Sequence, residues 1–322
     1  MRFLLDTEHL DLAGSIDAML ARADMPAVVR AWNDSDHAPG RAVWRRLADT
    51  GVTALLVSEE AGGVGAGAVE MVVAAEQLGR HCVPGPVAET VAVVPVVLSA
   101  TGRADLAEPL LAGDLATIAV PDEVPYAADA VTADLVLLLQ DSTLHLAEPD
   151  VTHASVDRSR HISTVVARES VATDVDSQRA LEIGALATAA QLVGLASAML
   201  STASDHARNR TQFGRPIGSF QAVKHHLADV AIAVEMARPL VHGAALAIDS
   251  GAATTGRDVS AAKVACGRAA DLAARTALQT LGAIGYTAEH DLSLYLTKTR
   301  ALQSAWGTAA RHRRTVLSAI TA

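Results

Sequence analysis

Arg210-Thr211-Gln212-Phe213-Gly214-Arg215-Pro216-Ile217, with Phe220-Gln221 close behind, is the stretch on which the fold turns. A long alanine-rich apolar segment runs up to it, and Gly214-Arg215-Pro216 must break any helix that arrives there. Ser219 can then cap a new helix. Within a few residues the chain offers a guanidinium fork, the Gln212 amide and the free backbone N–H groups of a helix start. Those groups suit a pyrophosphate. The same residues also read as an arginine closing a helix and a phenylalanine plugging the core, and residue chemistry leaves both readings open.

Working outward, the C-terminal part reads as helices joined by short breaks. Asp176 or Ser177 caps a helix to about Arg208, and a second runs from Phe220 to about Ile248, where Ser250-Gly251 stops it. A third covers Asp258 to about Leu281, a short one lies near Leu292–Lys298, and a last one spans Leu302–Ile320. Long helices with short turns predict an antiparallel bundle. Upstream, helices are expected near Ile16–Ala23, Arg41–Asp49 and Ala68–Gly79, with Gly51–Val57 as a buried connector. The glycines of Glu59–Gly67 lack both a following Lys-Ser/Thr and a dinucleotide register, so they predict a flexible turn. Strand character is confined to Ala116–Val120, Leu135–Leu139, Thr143–Leu146 and Val165–Val171, enough for a small sheet. The expected organisation is mainly α: an N-terminal helical domain over 1–115, a reduced β-domain over 116–173 and a helical bundle over 174–322.

Composition narrows the function. Of 322 residues, 50% are hydrophobic but only 3% aromatic, so small side chains must fill the core and helices must approach closely. A net charge of −10 excludes a nucleic-acid role built on a basic face. Arg311-His312-Arg313-Arg314 reads as a basic last helical turn offsetting the helix dipole. Cys82 and Cys266 stand alone, and the histidines, including His225-His226, show no metal-ligand spacing. Met1–Asp6 meets a charge too early for a secretory leader. Polar residues interrupt the apolar run 185–203, and no stretch reads as a bilayer span. A soluble, cytoplasmic protein is expected. No G-x-S-x-G elbow occurs.

Gln279-Thr280-Leu281-Gly282-Ala283-Ile284-Gly285-Tyr286 is the second candidate segment. Its glycines would let a ligand approach the backbone, or would simply end a helix.

Together the two segments resemble the acyl-CoA dehydrogenase family. Arg210 to Ile217 with Phe220-Gln221 and Leu227-Ala228-Asp229 is similar to the family's R-x-Q-F-G-x-P-I-x-x-F-Q…L-A-D signature. Gln279 to Tyr286 resembles its Q-x-x-G-G-x-G-[FY] segment, with Ala283 in place of one glycine. Trp44–Leu47, Glu59–Gly65 and Glu76–Arg80 also fit. The resemblance implies FAD shared between adjacent subunits. Arg210, Gln212, Phe213, Gln221, Gln279, Gly282 and Ala283 would hold the adenosine-pyrophosphate end of a neighbour's cofactor.

Departures are as informative as the match. By the family spacing, the carboxylate that takes the substrate's α-proton should stand 27 residues after Gln279, where this chain has Trp306. Other members carry it on the first long bundle helix, near Gly184-Ala185 here. Glu182 lies two residues off and points elsewhere on a helix. The family's flavin-contacting loops are not matched in Ala119–Pro125 or Tyr126–Ala133, so the sheet is expected to be shortened and unable to hold an isoalloxazine alone. This pattern resembles the smaller, non-catalytic subunits of actinobacterial α2β2 acyl-CoA dehydrogenases that oxidise steroid-derived CoA thioesters. It implies a catalytic partner subunit that binds most of the acyl-CoA. A self-sufficient enzyme with a displaced base such as Glu182 and a flavin-free scaffold are the alternatives.

Overall fold

The computed structural model describes residues 5–321, the side chain of Ala104 excepted. Met1–Leu4, on which much of the leader reading falls, and Ala322 lie outside the described residues. The N-terminal region contains α1 (Thr7–Ala21), α2 (Met25–Asn33), α3 (Ala38–Asp49), α4 (Ala68–Arg80) and α5 (Val94–Ala100). Helix α1 begins well before Ile16 because the Asp6 carboxylate accepts the His9 N–H and caps it. Only Ile16 and Leu20 of α1 are buried, so the apolar pattern marked its second half alone. Helix α2 was not foreseen, although Asp24 caps it and Pro26 sits in its first turn. The connector after α3 is buried as expected, with a 3₁₀ turn at Val52–Ala54.

A five-stranded sheet follows: β1 (Ala116–Ala119), β2 (Ala127–Ala128), β3 (Leu135–Gln140), β4 (Thr143–Ala154) and β5 (His161–Ala172). The order is β1-β3-β4-β5-β2, with β1 parallel to β3 and the other pairs antiparallel. Strands β4 and β5 run to 12 residues each, longer than predicted. Their outer halves face solvent, so no apolar alternation betrays them. The middle domain is small, as expected, and only the lengths of these two strands differ.

The C-terminal part holds α6 (Ser177–Asn209), α7 (Gln221–Asp249), α8 (Thr255–Leu281), α9 (Leu292–Ser304) and α10 (Ala309–Thr321). The expected helix Leu302–Ile320 is therefore two helices, broken at Ala305-Trp306-Gly307. By length and composition α6 and α7 could each cross a membrane, contrary to the sequence reading. In α6, however, 83% of the most apolar window is buried within the protein itself.

Helix α6 is the axis of the fold, buried from Leu186 to Ala196 against its neighbours. It meets α4 backbone to backbone: a Cβ added at Gly194 would lie 1.9 Å from the Glu76 carbonyl oxygen, and one at Gly79 would lie 2.2 Å from that of Gln191. Small residues permit this contact, and dispersion over the close approach stabilises it. Beside it, Arg238 of α7 pairs with Glu76 of α4 at 3.0 Å, while Asp249 accepts the Ala68 N–H and caps α4 from the end of α7. Burial pushes the Glu76 carboxyl above its ordinary range even with Arg238 beside it.

Gly194→Ala should destabilise the protein by at least ~1–3 kcal/mol in urea unfolding, because the clash is with backbone. Gly14→Ala, where an added Cβ meets nothing within 4 Å, should be neutral or stabilising by up to ~1 kcal/mol. Equal effects of the two would contradict the close α4–α6 contact.

Candidate functional site

A short hairpin, β6 (Thr211–Gln212) and β7 (Arg215–Pro216), joins α6 to α7. Arg210 ends α6, donating its N–H to the His206 carbonyl, and its own carbonyl accepts the Ile217 N–H at 2.8 Å, which closes the hairpin. Phe213 sits at the tip with φ 52° and is 91% exposed. It is not a core plug. Phe220 meets it edge-on at 6.2 Å, and the Arg215 guanidinium stacks 4.2 Å above Phe220. Phe220 begins α7 without giving a side-chain cap, so first-turn N–H groups stay available to an anion.

Across from the hairpin, α8 presents Arg275, Thr276 and Gln279. The two sides enclose a groove of about 620 Å³, within the size range of small-molecule sites. It brings Gln212, Phe213 and Gln279 together, although Phe213 and Gln279 are 66 residues apart. Arg210, Gln221, Gly282 and Ala283 flank the groove in the chain and are exposed, but do not line it. The Arg210 side chain makes no hydrogen bond or ion pair among the described residues. Sequence reasoning missed His226 and Arg275 as groove residues. Arg275 was findable, since it precedes Gln279 by one helical turn.

The second site is a closed one. Trp306 and Gly307 both take positive φ, 56° and 109°, and this ends α9 before α10 begins. The indole is buried at 2% exposure, and its N–H donates to Glu89 Oε1 at 2.9 Å. Its ring covers Gly184, where an added Cβ would stand 2.3 Å from it. Glu89 opens a π-helical turn, Glu89–Val93, leading into α5. It was missed in the sequence, although a lone carboxylate inside Val87–Val94 was a usable signal. The space left beside Glu89, also lined by Lys298 and Arg160, is about 20 Å³, room for one water. Glu182 lies elsewhere: it accepts from the Gln178 amide at 2.8 Å and lines a separate cavity of about 150 Å³ that also touches Trp306.

Two side chains fasten the Trp306 turn. His312 Nε2 donates to the Trp306 carbonyl at 3.0 Å, which leaves Nδ1 to accept from the Ser260 hydroxyl at 3.0 Å. Burial pushes the His312 imidazole down to about 4, so it is neutral at pH 7. This corrects the reading of Arg311–Arg314 as a basic last turn. They lie in the first turns of α10, with His312 buried and Arg311 paired to Glu123 at 2.8 Å. The segment without the flavin-loop motif is also fastened from within. Asp129 is fully buried and accepts the His161 N–H at 2.8 Å, joining the end of β2 to β5.

Known proteins share this fold. Residues 6–113 match the acyl-CoA dehydrogenase N-terminal domain and residues 175–321 the C-terminal domain of the same family. The chain belongs to the acyl-CoA dehydrogenase family. Acyl-CoA dehydrogenase IpdE2 of Mycolicibacterium smegmatis is 31% identical, with 89% of this chain and 90% of that protein aligned. The ChsE4-ChsE5 complex from Mycobacterium tuberculosis contains a chain of the same fold, with TM-score 0.85, 23% identity, and 100% and 99% of the two chains covered. Butyryl-CoA dehydrogenase from Megasphaera elsdenii matches with TM-score 0.84 at 19% identity over 100% of each chain. This acyl-CoA dehydrogenase chain thus has an open groove at the hairpin and a filled space beside Gly184.

Trp306→Ala should cost about 3–5 kcal/mol in urea unfolding, from the cavity and from an unpaired Glu89. An effect under ~1 kcal/mol would contradict the buried pair. His312 adds a pH signature. Its folded value is depressed from 6.5 to about 4, so the unfolded chain takes up the proton first as pH falls. The stability advantage of the native protein over His312→Asn should be full above pH 6.5 and shrink toward pH 4. A pH-independent difference in melting temperature would contradict a neutral, buried imidazole.

Proposed function

We propose that this chain is the non-catalytic subunit of a heteromeric, cytoplasmic, FAD-dependent acyl-CoA dehydrogenase that introduces an α,β double bond into a bulky, steroid-derived acyl-CoA. The observation that carries the reading is the Trp306 indole, hydrogen-bonded to Glu89 and lying on Gly184. Family resemblance sets the proton-accepting carboxylate at one or other of those two places, and here one holds an indole and the other no side chain. Indole has no basic lone pair and cannot take the α-proton. With about 20 Å³ left beside Glu89, an acyl chain has no room there either.

FAD fits the two sites differently. The hairpin groove offers the Gln212 and Gln279 amides, two phenyl faces and an uncapped helix start, a donor set suited to the adenosine-pyrophosphate end of the cofactor. The closed site does not fit a productive flavin–substrate pair. Bound FAD supplies the hydride acceptor, and a catalytic partner subunit supplies the base and most of the acyl-CoA contacts. In this chain Arg210, Gln212, Phe213, Gln221, Gln279, Gly282 and Ala283 complete that partner's cofactor site. A surface for the partner lies nearby: Ile232, Met236 and Leu240 of α7 form an exposed apolar stripe at helical spacing. Two neighbours in fold are two-chain assemblies, the ChsE4-ChsE5 complex and the Tcur3481-Tcur3483 steroid enzyme, which supports a heteromer and the steroid class.

Co-expression with a catalytic dehydrogenase chain tests the half-site. Arg210→Ala with Gln279→Ala should loosen FAD in the purified complex by about tenfold or more, from the lost charge-assisted contacts. Unchanged retention would contradict the half-site. Loss of activity on Glu182→Gln in this chain would favour the displaced-base alternative.

A further inference from the structure

Strand β2 is only two residues long and lies at the edge of the sheet, where Ala127 pairs with Ser163 and Ala128 with Ile162 of β5. The segment that carries it is anchored at both ends. Val120 and Val124 bridge to each other at one end. At the other, Arg41 donates to the Thr132 carbonyl and to the Asp134 carboxylate, which also accepts the Leu115 N–H. Apolar packing between these anchors is slight. Ala127, Ala128 and Ala130 are buried but bring one methyl group each, while Tyr126 and Val131 are exposed.

Asp129 closes the middle of this segment. Its N–H donates to the His161 carbonyl at 2.7 Å, and its Oδ1 accepts the His161 N–H at 2.8 Å. It takes φ 50°, and its carbonyl accepts the N–H groups of Thr132 and Ala133. The residue is fully buried, yet Oδ2 has no hydrogen-bond partner among the described residues. An ionised carboxylate with an unserved oxygen in such a place is costly.

The neighbouring charges do not offset that cost. Arg160 and Lys298 attract Asp129, and Asp157 repels it. Lys298, on α9, is already engaged: its ammonium donates to the Val83 carbonyl at 2.8 Å and lies 3.9 Å from Asp157 Oδ2. His161 Nδ1, on β5, stands 3.8 Å from Asp129 Oδ1. Behind it, at the corner between α2 and α3, His37 faces Arg41 and His161. Burial outweighs the cations and pushes Asp129 up to about 7.

We propose that residues 126–133 form a proton-locked flap on the edge of the sheet, closed while Asp129 is protonated and released into solvent when Asp129 ionises. The closed flap holds a proton that the open flap, with Asp129 in water, gives up. Opening therefore becomes easier as pH rises from 3.8 to about 7 and levels off above, where both forms are ionised. His37 acts in the opposite sense. Burial, then Arg41, lowers it from 6.5, so its contribution to the closed form is full above that value and is lost as pH falls. The direction of the pH response thus tells the two groups apart. The flap uses neither flavin nor a partner chain, so it stands apart from the half-site reading.

Hydrogen exchange of the full chain, read by mass spectrometry and corrected for the intrinsic effect of pH on exchange, tests the flap. From about pH 5.5 to about pH 7.5, protection of peptides covering 126–133 should fall about tenfold or more, with little further change toward about pH 9. Peptides from α6 should keep theirs. Asp129→Asn tolerates the positive φ and keeps an acceptor for the His161 N–H but cannot ionise, so it should remove the dependence. His37→Asn should leave the fall in place. The wild-type chain alone decides the sign: unchanged protection, protection that rises with pH, or an equal loss in α6 would each overturn the proposal. So would a dependence that persists in Asp129→Asn or vanishes in His37→Asn.

Discussion

The hydrogen bond from the Trp306 indole to the buried Glu89 carboxylate is the constraint around which the molecule is arranged. It joins the π-helical turn before α5 to the α9–α10 junction across 217 residues of sequence, and it presses the ring onto the Gly184 face of α6. A buried carboxylate without a donor would be costly, and a buried indole N–H without an acceptor likewise. Each satisfies the other. The positive φ at Trp306 and Gly307 turns the chain so that the ring points inward, and the Ser260–His312–Trp306 relay fixes that turn. Closing this space and breaking the last helix are therefore one structural event.

The open groove is built by different means. It lies at a surface where α6 ends, α7 begins and α8 passes opposite, and it depends on exposed residues rather than on burial. Phe213 is held almost fully in solvent in a left-handed conformation, a cost that folding alone does not explain. A chain with one site filled and one surface left open is suited to acting on a cofactor held by another subunit. The same architecture that serves as a complete enzyme elsewhere in the family can in this way be divided between two chains.

Much of this was legible in the sequence. Asp176 caps the central helix and Gly282 closes α8 as their chemistry requires. Gln212 came from a local segment whose residue types match a pyrophosphate, whereas the roles of Gln279 and Trp306 came from the family resemblance. Tertiary partners were not legible. Glu89 and Trp306 stand on unrelated segments, and only the folded chain joins them. Ala305-Trp306-Gly307 reads as continuous helix until packing forces positive φ on two of its residues. The outer halves of β4 and β5 carry no burial pattern because neither face is covered.

The most direct measurement is a count of flavin. The chain should be purified alone and again after co-expression with a catalytic acyl-CoA dehydrogenase chain, and the flavin absorbance should be divided by protein. The account predicts a colourless, inactive chain alone and one FAD for each pair of unlike chains in an active complex. A yellow chain that holds one FAD per polypeptide on its own and oxidises acyl-CoA would contradict it.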